Sequence, residues 1–197
     1  MKFRKYLNMV LPAIIVFEWI GMVIYGAGSV LGTSGLSSLK FFTILSNLLE
    51  AFACIIWLVN KNEKIKYVAT VSVMLTFTVV MIFLGPTIGY RFMFMGANLW
   101  FHLLVPLIAL AETLFFTNNR FDIKDNLYAI IPMGIYGIFY LGNILINGIG
   151  TWPNTNDWYG FMVWGIPFGF VIYFVILFVT FLLGLIIRTL INVMNRQ

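Results

Sequence analysis

The chain has 197 residues, of which 61% are hydrophobic and only 10% charged, with a mean hydropathy of +0.97. Soluble domains carry about 25% charged residues, so the composition excludes a soluble globular protein and points to an integral membrane protein. The net charge of +5 comes from Lys and Arg in short joints between apolar runs, so it reports topology and excludes a nucleic-acid partner.

Six runs reach the ~20 residues that a membrane-spanning helix needs: 7–31, 40–60, 67–90, 98–117, 127–146 and 162–190. The joints between them are short and polar. The expected fold is therefore all-α and polytopic, a single integral membrane domain over 1–197. The first run follows MKFRK and ends in small residues, as a signal peptide does. It is too long for one and contains Glu18, so it is read as helix one.

The second run opens KFFTILSNLLE, which places Thr43, Ser46, Asn47 and Glu50 within an arc of about 100° on one helix face. Cys54, the single cysteine, lies in this run, so there is no disulfide framework. The third run ends in GPTIGY (85–90). The fourth holds His102, the one histidine, with Pro106 one turn later and Glu112 beyond; the proline is expected to bend the helix locally. The fifth carries Tyr136, Tyr140, Asn143 and Asn147 on one face. The loop NGIGTWPNTNDWYGF (147–161) follows and is the longest external connection. Its Trp152, Trp158 and Tyr159 are interfacial anchors or shape access for a lipid, with Asp157 as the one charge on that rim. Gly28 with Gly32, and Gly165 with Gly169, have GxxxG spacing, a weak packing signal.

Orientation follows the positive charges. One side would hold Lys2, Arg4, Lys5, Lys61, Lys64, Lys66, Arg120, Lys124, Arg188 and Arg196; the other holds only Lys40 and Arg91. Both termini are expected in the cytoplasm, and the protein in a cell membrane, as a multi-pass protein of a bacterial plasma membrane. Acidic groups inside spans are expensive and face the bundle interior or water. Glu18, Glu50 and Glu112 are the three here, and no Lys or Arg is expected at matching depth. Each either holds a proton, lines water, or joins neighbouring hydroxyls and amides to hold the bundle together.

At 1.5 Å per residue, Thr43 and His102 lie roughly 5 and 6 Å below the same surface. Thr43, His102 and Asn143 can therefore meet in one layer. A hydroxyl beside an imidazole is the minimum set for nucleophilic acyl transfer, the imidazole taking the hydroxyl proton during attack. Asn47 or Asn143 would orient the imidazole or donate to the oxyanion, with Ser46, Glu50 and Tyr140 as supporting polar groups. No G-x-S-x-G elbow, HExxH or Gly-rich phosphate loop occurs. One His and one Cys make a conventional zinc site improbable, so no metal and no cofactor is expected.

FFTILSNLL in the second run, NLWFHLLVPLIALAETLFF in the fourth and the WY-containing loop before the sixth together resemble the androgen-induced-gene and androgen-dependent-TFPI-regulating-protein family of six-helix membrane proteins, with its bacterial relatives. The likeness covers nearly the whole chain in topology and two segments at residue level. It implies a threonine hydrolase of fatty acid esters of hydroxy fatty acids, with Thr43 matching the family's catalytic threonine and His102, before Pro106 and Glu112, its histidine. The loop departs from the family, with Trp158-Tyr159-Gly160-Phe161 where relatives carry Tyr-Pro-Phe. The leading expectation is an intramembrane lipid-ester hydrolase whose partners are membrane lipids. Its rivals are a non-catalytic lipid- or ligand-binding protein, a proton-coupled transporter using Glu18 and Glu50, and a bundle whose polar groups merely satisfy one another.

Overall fold

Six helices long and apolar enough to cross a membrane dominate the computed structural model, which describes residues 2–25, 35–151 and 154–195. They are α1 (Lys2–Tyr25), α2 (Phe42–Asn60), α3 (Glu63–Ile88), α4 (Ala97–Phe116), α5 (Ile123–Asn147) and α6 (Ile166–Met194). A 3₁₀ turn, Gly35–Lys40, leads into α2, and a single turn, Tyr90–Met93, lies between α3 and α4. There is no strand among the described residues. The protein is thus an all-helical, multi-pass membrane protein.

Three helices begin well before the apolar runs suggest. α1 starts at Lys2 and α5 at Ile123, and α3 starts at Glu63 because local geometry overrides hydropathy. Lys61 takes a left-handed conformation (φ 57°) and closes α2 with its N–H on the Trp57 carbonyl at 3.0 Å. The Asn62 side chain then accepts the Ile65 N–H at 3.1 Å and caps α3. A two-residue turn joins the helices, and Lys66 falls inside α3 rather than in a joint. At the same end of the bundle, Asp122 and Asp125 form a reciprocal capping box at the start of α5. The Asp125 N–H, which donates to it at 2.9 Å, holds the Asp122 carboxyl below its usual range.

α3 is the central post. Lys66, Tyr67 and the run from Ala69 to Thr76 are buried against α2, α4, α5 and α6. α1 rests mainly on α2. α6 leans on α5 and α3 and leaves Phe174, Val175 and Phe178 exposed, as lipid contact requires. Close approach depends on small residues: a Cβ on Gly137 would collide with the Tyr173 ring, and one on Gly184 with Asn126. The Gly165–Gly169 pair is not a helix–helix motif. Gly165 (φ 93°) precedes α6, and Gly169 meets Met162 of the preceding loop. Gly28 and Gly32 lie outside the described residues.

Both α3 and α4 contain one wide turn, at Val80–Leu84 and Trp100–Leu104, and each ends two residues before a proline. A proline lacks an N–H and clashes with the carbonyl four residues back. Here the preceding residue reaches back five instead: Gly85 N–H bonds the Val80 carbonyl and Val105 N–H the Trp100 carbonyl. The expected local distortion at Pro106 is therefore a π turn, a feature that recurs at functional sites.

Candidate functional site

Thr43 occupies the first turn of α2, beside the start of the helix. Phe41, the cap residue, offers no side-chain bond there. The loop supplies one instead: the Tyr159 hydroxyl accepts the Phe42 N–H at 2.8 Å. The Thr43 N–H and hydroxyl and the Tyr136 hydroxyl also bear on this oxygen. Burial pushes the Tyr159 phenol up to about 12, and these neighbours pull it part of the way back.

Thr43, Tyr136, Tyr140 and Tyr159 line a small apolar cavity of about 40 Å³ between α2, α3, α5 and α6. Beside it a groove of about 350 Å³ runs between α2 and α5. Phe42, Tyr136 and Tyr140 are walls common to both. The groove mouth carries Lys40 and Trp158, with the Lys40 ammonium 5.4 Å from the ring centroids of both Phe41 and Trp158.

His102 sits in the π turn of α4 and is buried. Its Nδ1 lies 2.7 Å from the Met93 carbonyl. A carbonyl only accepts, so Nδ1 carries a proton; Nε2 has no hydrogen-bond partner among the described residues. The imidazole is thus oriented by a backbone carbonyl on the short Tyr90–Met93 turn. The two asparagines expected to do this are engaged elsewhere.

Asn47 is fully buried and donates through Nδ2 to the Thr43 carbonyl (2.7 Å) and the Phe101 carbonyl (3.1 Å). The Phe101 carbonyl is open to it because the residue five ahead is Pro106, which has no N–H. Through this one amide the backbones of Thr43 and Phe101 are tied in a single layer, which brings Thr43 and His102 to one level. Asn143 is not in that layer: its amide donates to Asn156 at 3.1 Å and its oxygen accepts from Asn147 at 2.9 Å. Ser46 bonds Thr76 across the α2–α3 contact at 2.9 Å.

Asp157 is not a charge on the rim. It is buried, accepts a hydrogen bond from Tyr140, and takes the Phe161 and Met162 N–H groups at 2.9 and 2.8 Å. It folds the loop so that Trp158 and Tyr159 point inward. Trp158 donates to the Tyr136 hydroxyl at 3.0 Å, which donates to the Lys40 carbonyl at 2.8 Å. Lys40 is the rim charge, and Trp152 lies outside the described residues.

The expectation that Glu50 and Glu112 have no cation at their depth is overturned. Lys66 pairs with Glu50 and, at 2.9 Å, with Glu112. Arg4 bonds Glu112 at 2.5 Å and grips both oxygens of Glu63 at 2.6 Å, beneath the Trp57 ring. Arg4, expected on the N-terminal segment, and Lys66, expected in the joint before α3, each lie about one turn inside a helix and face inward. The Asn62 cap is the signal that places Lys66 in α3. Glu18 is half-buried farther along α1, outside this network.

Among the described residues no group of three or more His, Cys, Asp or Glu is placed to hold a metal ion. No family model, curated protein or solved structure matches the chain.

Proposed function

We propose that the protein is an intramembrane hydrolase of lipid esters, with Thr43 as nucleophile and His102 as base. The observation that carries this reading is the 2.7 Å approach of His102 Nδ1 to the Met93 carbonyl, which leaves Nε2 as the nitrogen to act as base, in a segment that Asn47 ties to Thr43 through the Phe101 carbonyl. Thr43 Oγ1 attacks the ester carbonyl as its proton passes to Nε2. The imidazolium returns that proton to the departing alkoxide, leaving an acyl-threonine, which water cleaves by the same steps in reverse order.

Cavity sizes divide the substrate. A space of about 40 Å³ takes a water or two, whereas the groove between α2 and α5 takes an acyl chain arriving from the bilayer. With the Asn47 amide committed to two carbonyls, the developing oxyanion falls to the N–H groups at the start of α2 and to the Tyr159 hydroxyl, where the helix dipole favours negative charge. This is the activity that the resemblance to the androgen-induced-gene family implies, with fatty acid esters of hydroxy fatty acids as its substrate class.

A second reading, a lipid-binding protein without chemistry, is favoured by one observation: the group beside the Thr43 hydroxyl is Tyr159, a poor base. In either reading we place both termini in the cytoplasm of a bacterial plasma membrane. Moving Arg4 and Lys66 into the bundle still leaves eight Lys and Arg on the terminal side against Lys40 and Arg91.

The test is a fluorophosphonate probe on the purified protein, with the labelled residue located by mass spectrometry. An adduct on Thr43 that vanishes in His102→Ala is expected. Folded protein that gives no adduct would shift the reading to lipid binding.

A further inference from the structure

The charge network contains five groups: Arg4 and Lys66 against Glu50, Glu63 and Glu112. Lys61 and Lys64 do not enter it. Lys61 reaches over the outer side of Trp57 and Lys64 pairs with Asp125 from an exposed position. With every member ionised, the cluster holds one negative charge in excess inside a membrane bundle, where an uncompensated charge is strongly disfavoured. One proton on one carboxylate makes it neutral.

The hydrogen bonds say which carboxylate. Glu63 takes Arg4, Trp57 and Thr117 on its two oxygens, all donors. Glu112 takes Arg4 and Asn8 on Oε1; its Oε2 accepts no hydrogen bond but is ion-paired with Lys66 at 2.9 Å. Glu50 is fully buried and takes Lys66 and Cys54 on Oε1 alone. Its Oε2 has no partner.

A second orphan lies one turn away. Asn47 Oδ1 is buried without a partner, and the amide cannot turn over because Nδ2 is locked on two carbonyls. Residues three apart on a helix are neighbours on its surface. A carboxylate oxygen facing an amide oxygen is repulsive; a carboxyl O–H facing it is a hydrogen bond.

We infer that Glu50 is a proton-binding site: its Oε2–H donates to Asn47 Oδ1, and Oε1 accepts from Lys66. The proton satisfies both orphans and the charge balance together. It also links the ion-paired end of the bundle, through Asn47 and the Thr43 carbonyl, to the layer of Thr43 and His102. The site stands whether or not Thr43 is a nucleophile.

Infrared spectroscopy of the full chain in liposomes at neutral pH tests it. A carbonyl stretch of a protonated carboxyl is expected in the wild type and in Thr43→Ala. It should be absent in Glu50→Gln and shifted upward in Asn47→Ala, where its hydrogen bond is lost. A wild-type spectrum without the band, as a bridging water beside an ionised Glu50 would give, overturns the inference. So does a band that survives Glu50→Gln. Should that variant not fold, dicyclohexylcarbodiimide, which adds to protonated carboxyls in apolar surroundings, is applied to the wild type. An adduct on Glu50 supports the assignment, and one on Glu112 instead overturns it.

Discussion

The two ends of the bundle hold their helices together by opposite means. At the Arg4 end, charged side chains from α1, α2, α3 and α4 interlock directly, helix to helix. At the Thr43 end there is no buried ion pair among the described residues; hydroxyls, amides and stacked rings meet there, and the loop before α6 supplies Asp157, Trp158 and Tyr159. An ion-paired end resists rearrangement because each partner removed strands another charge. An end closed by a loop can open at the expense of a few hydrogen bonds.

That contrast is broken most severely at Lys66. Lys66→Met leaves the Glu112 carboxylate without its second cation, and breaking a buried pair on one side costs about 3–5 kcal/mol. Unfolding in a denaturing-detergent titration should shift accordingly, with part of the loss restored in the Lys66→Met/Glu112→Gln double variant. His102→Ala should do the reverse: removing a general base lowers lipid-ester turnover by about 10²–10⁴-fold while the unfolding transition stays near that of the wild type. Equal damage to both readouts would make His102 a packing residue.

Gly137→Val drives a side chain into Tyr173 beside the cavity. Overpacking of this kind costs about 1–3 kcal/mol and should suppress labelling of Thr43.

Tyr159→Phe removes the cap of α2, worth about 1 kcal/mol. It should also flatten stability at alkaline pH. The folded phenol sits at about 12 against an ordinary 10.0, so the folded state keeps a proton that the unfolded state releases. The contribution of Tyr159 is whole below pH 10.0 and lost as the pH rises towards about 12. The smallest effect is expected from Trp158→Ala, which strips one aromatic face from Lys40, worth about 0.5–1 kcal/mol. A rise in KM of a few-fold with kcat unchanged would place Trp158 on the lipid's way in.

Hydropathy alone located all six spans, because a bilayer imposes length and composition on each helix separately. Their ends were less legible. The Asn62 cap depends on one hydrogen bond and outweighs the local polarity of Glu63 and Lys66; the Asp122 box depends on two. Counting residues puts Thr43 and His102 at similar depth, since depth along a helix is linear in sequence; what the structure adds is the Asn47 tie between the Thr43 and Phe101 carbonyls. Angle around the helix is not preserved through a π turn, and neither are the partners that loops deliver. Asn143 was therefore expected beside His102 and lies under Asn156, whereas the Met93 carbonyl and the Tyr159 cap had no signature in spacing. Lys66 escaped notice because a charge near a helix end reads as solvated until the cap shows which turn it occupies.

The π turn at Trp100–Leu104 also sets a phase. It carries one residue more than an α turn would, so deleting a single residue there would return α4 to ordinary register and rotate Ala97–Leu99 by about 100° against the rest of the helix. The Tyr90–Met93 turn would swing with it, and the Met93 carbonyl would leave Nδ1 of His102. Length is the sensitive variable in this segment: one codon gained or lost would undo the imidazole's orientation while leaving every side chain around it chemically intact.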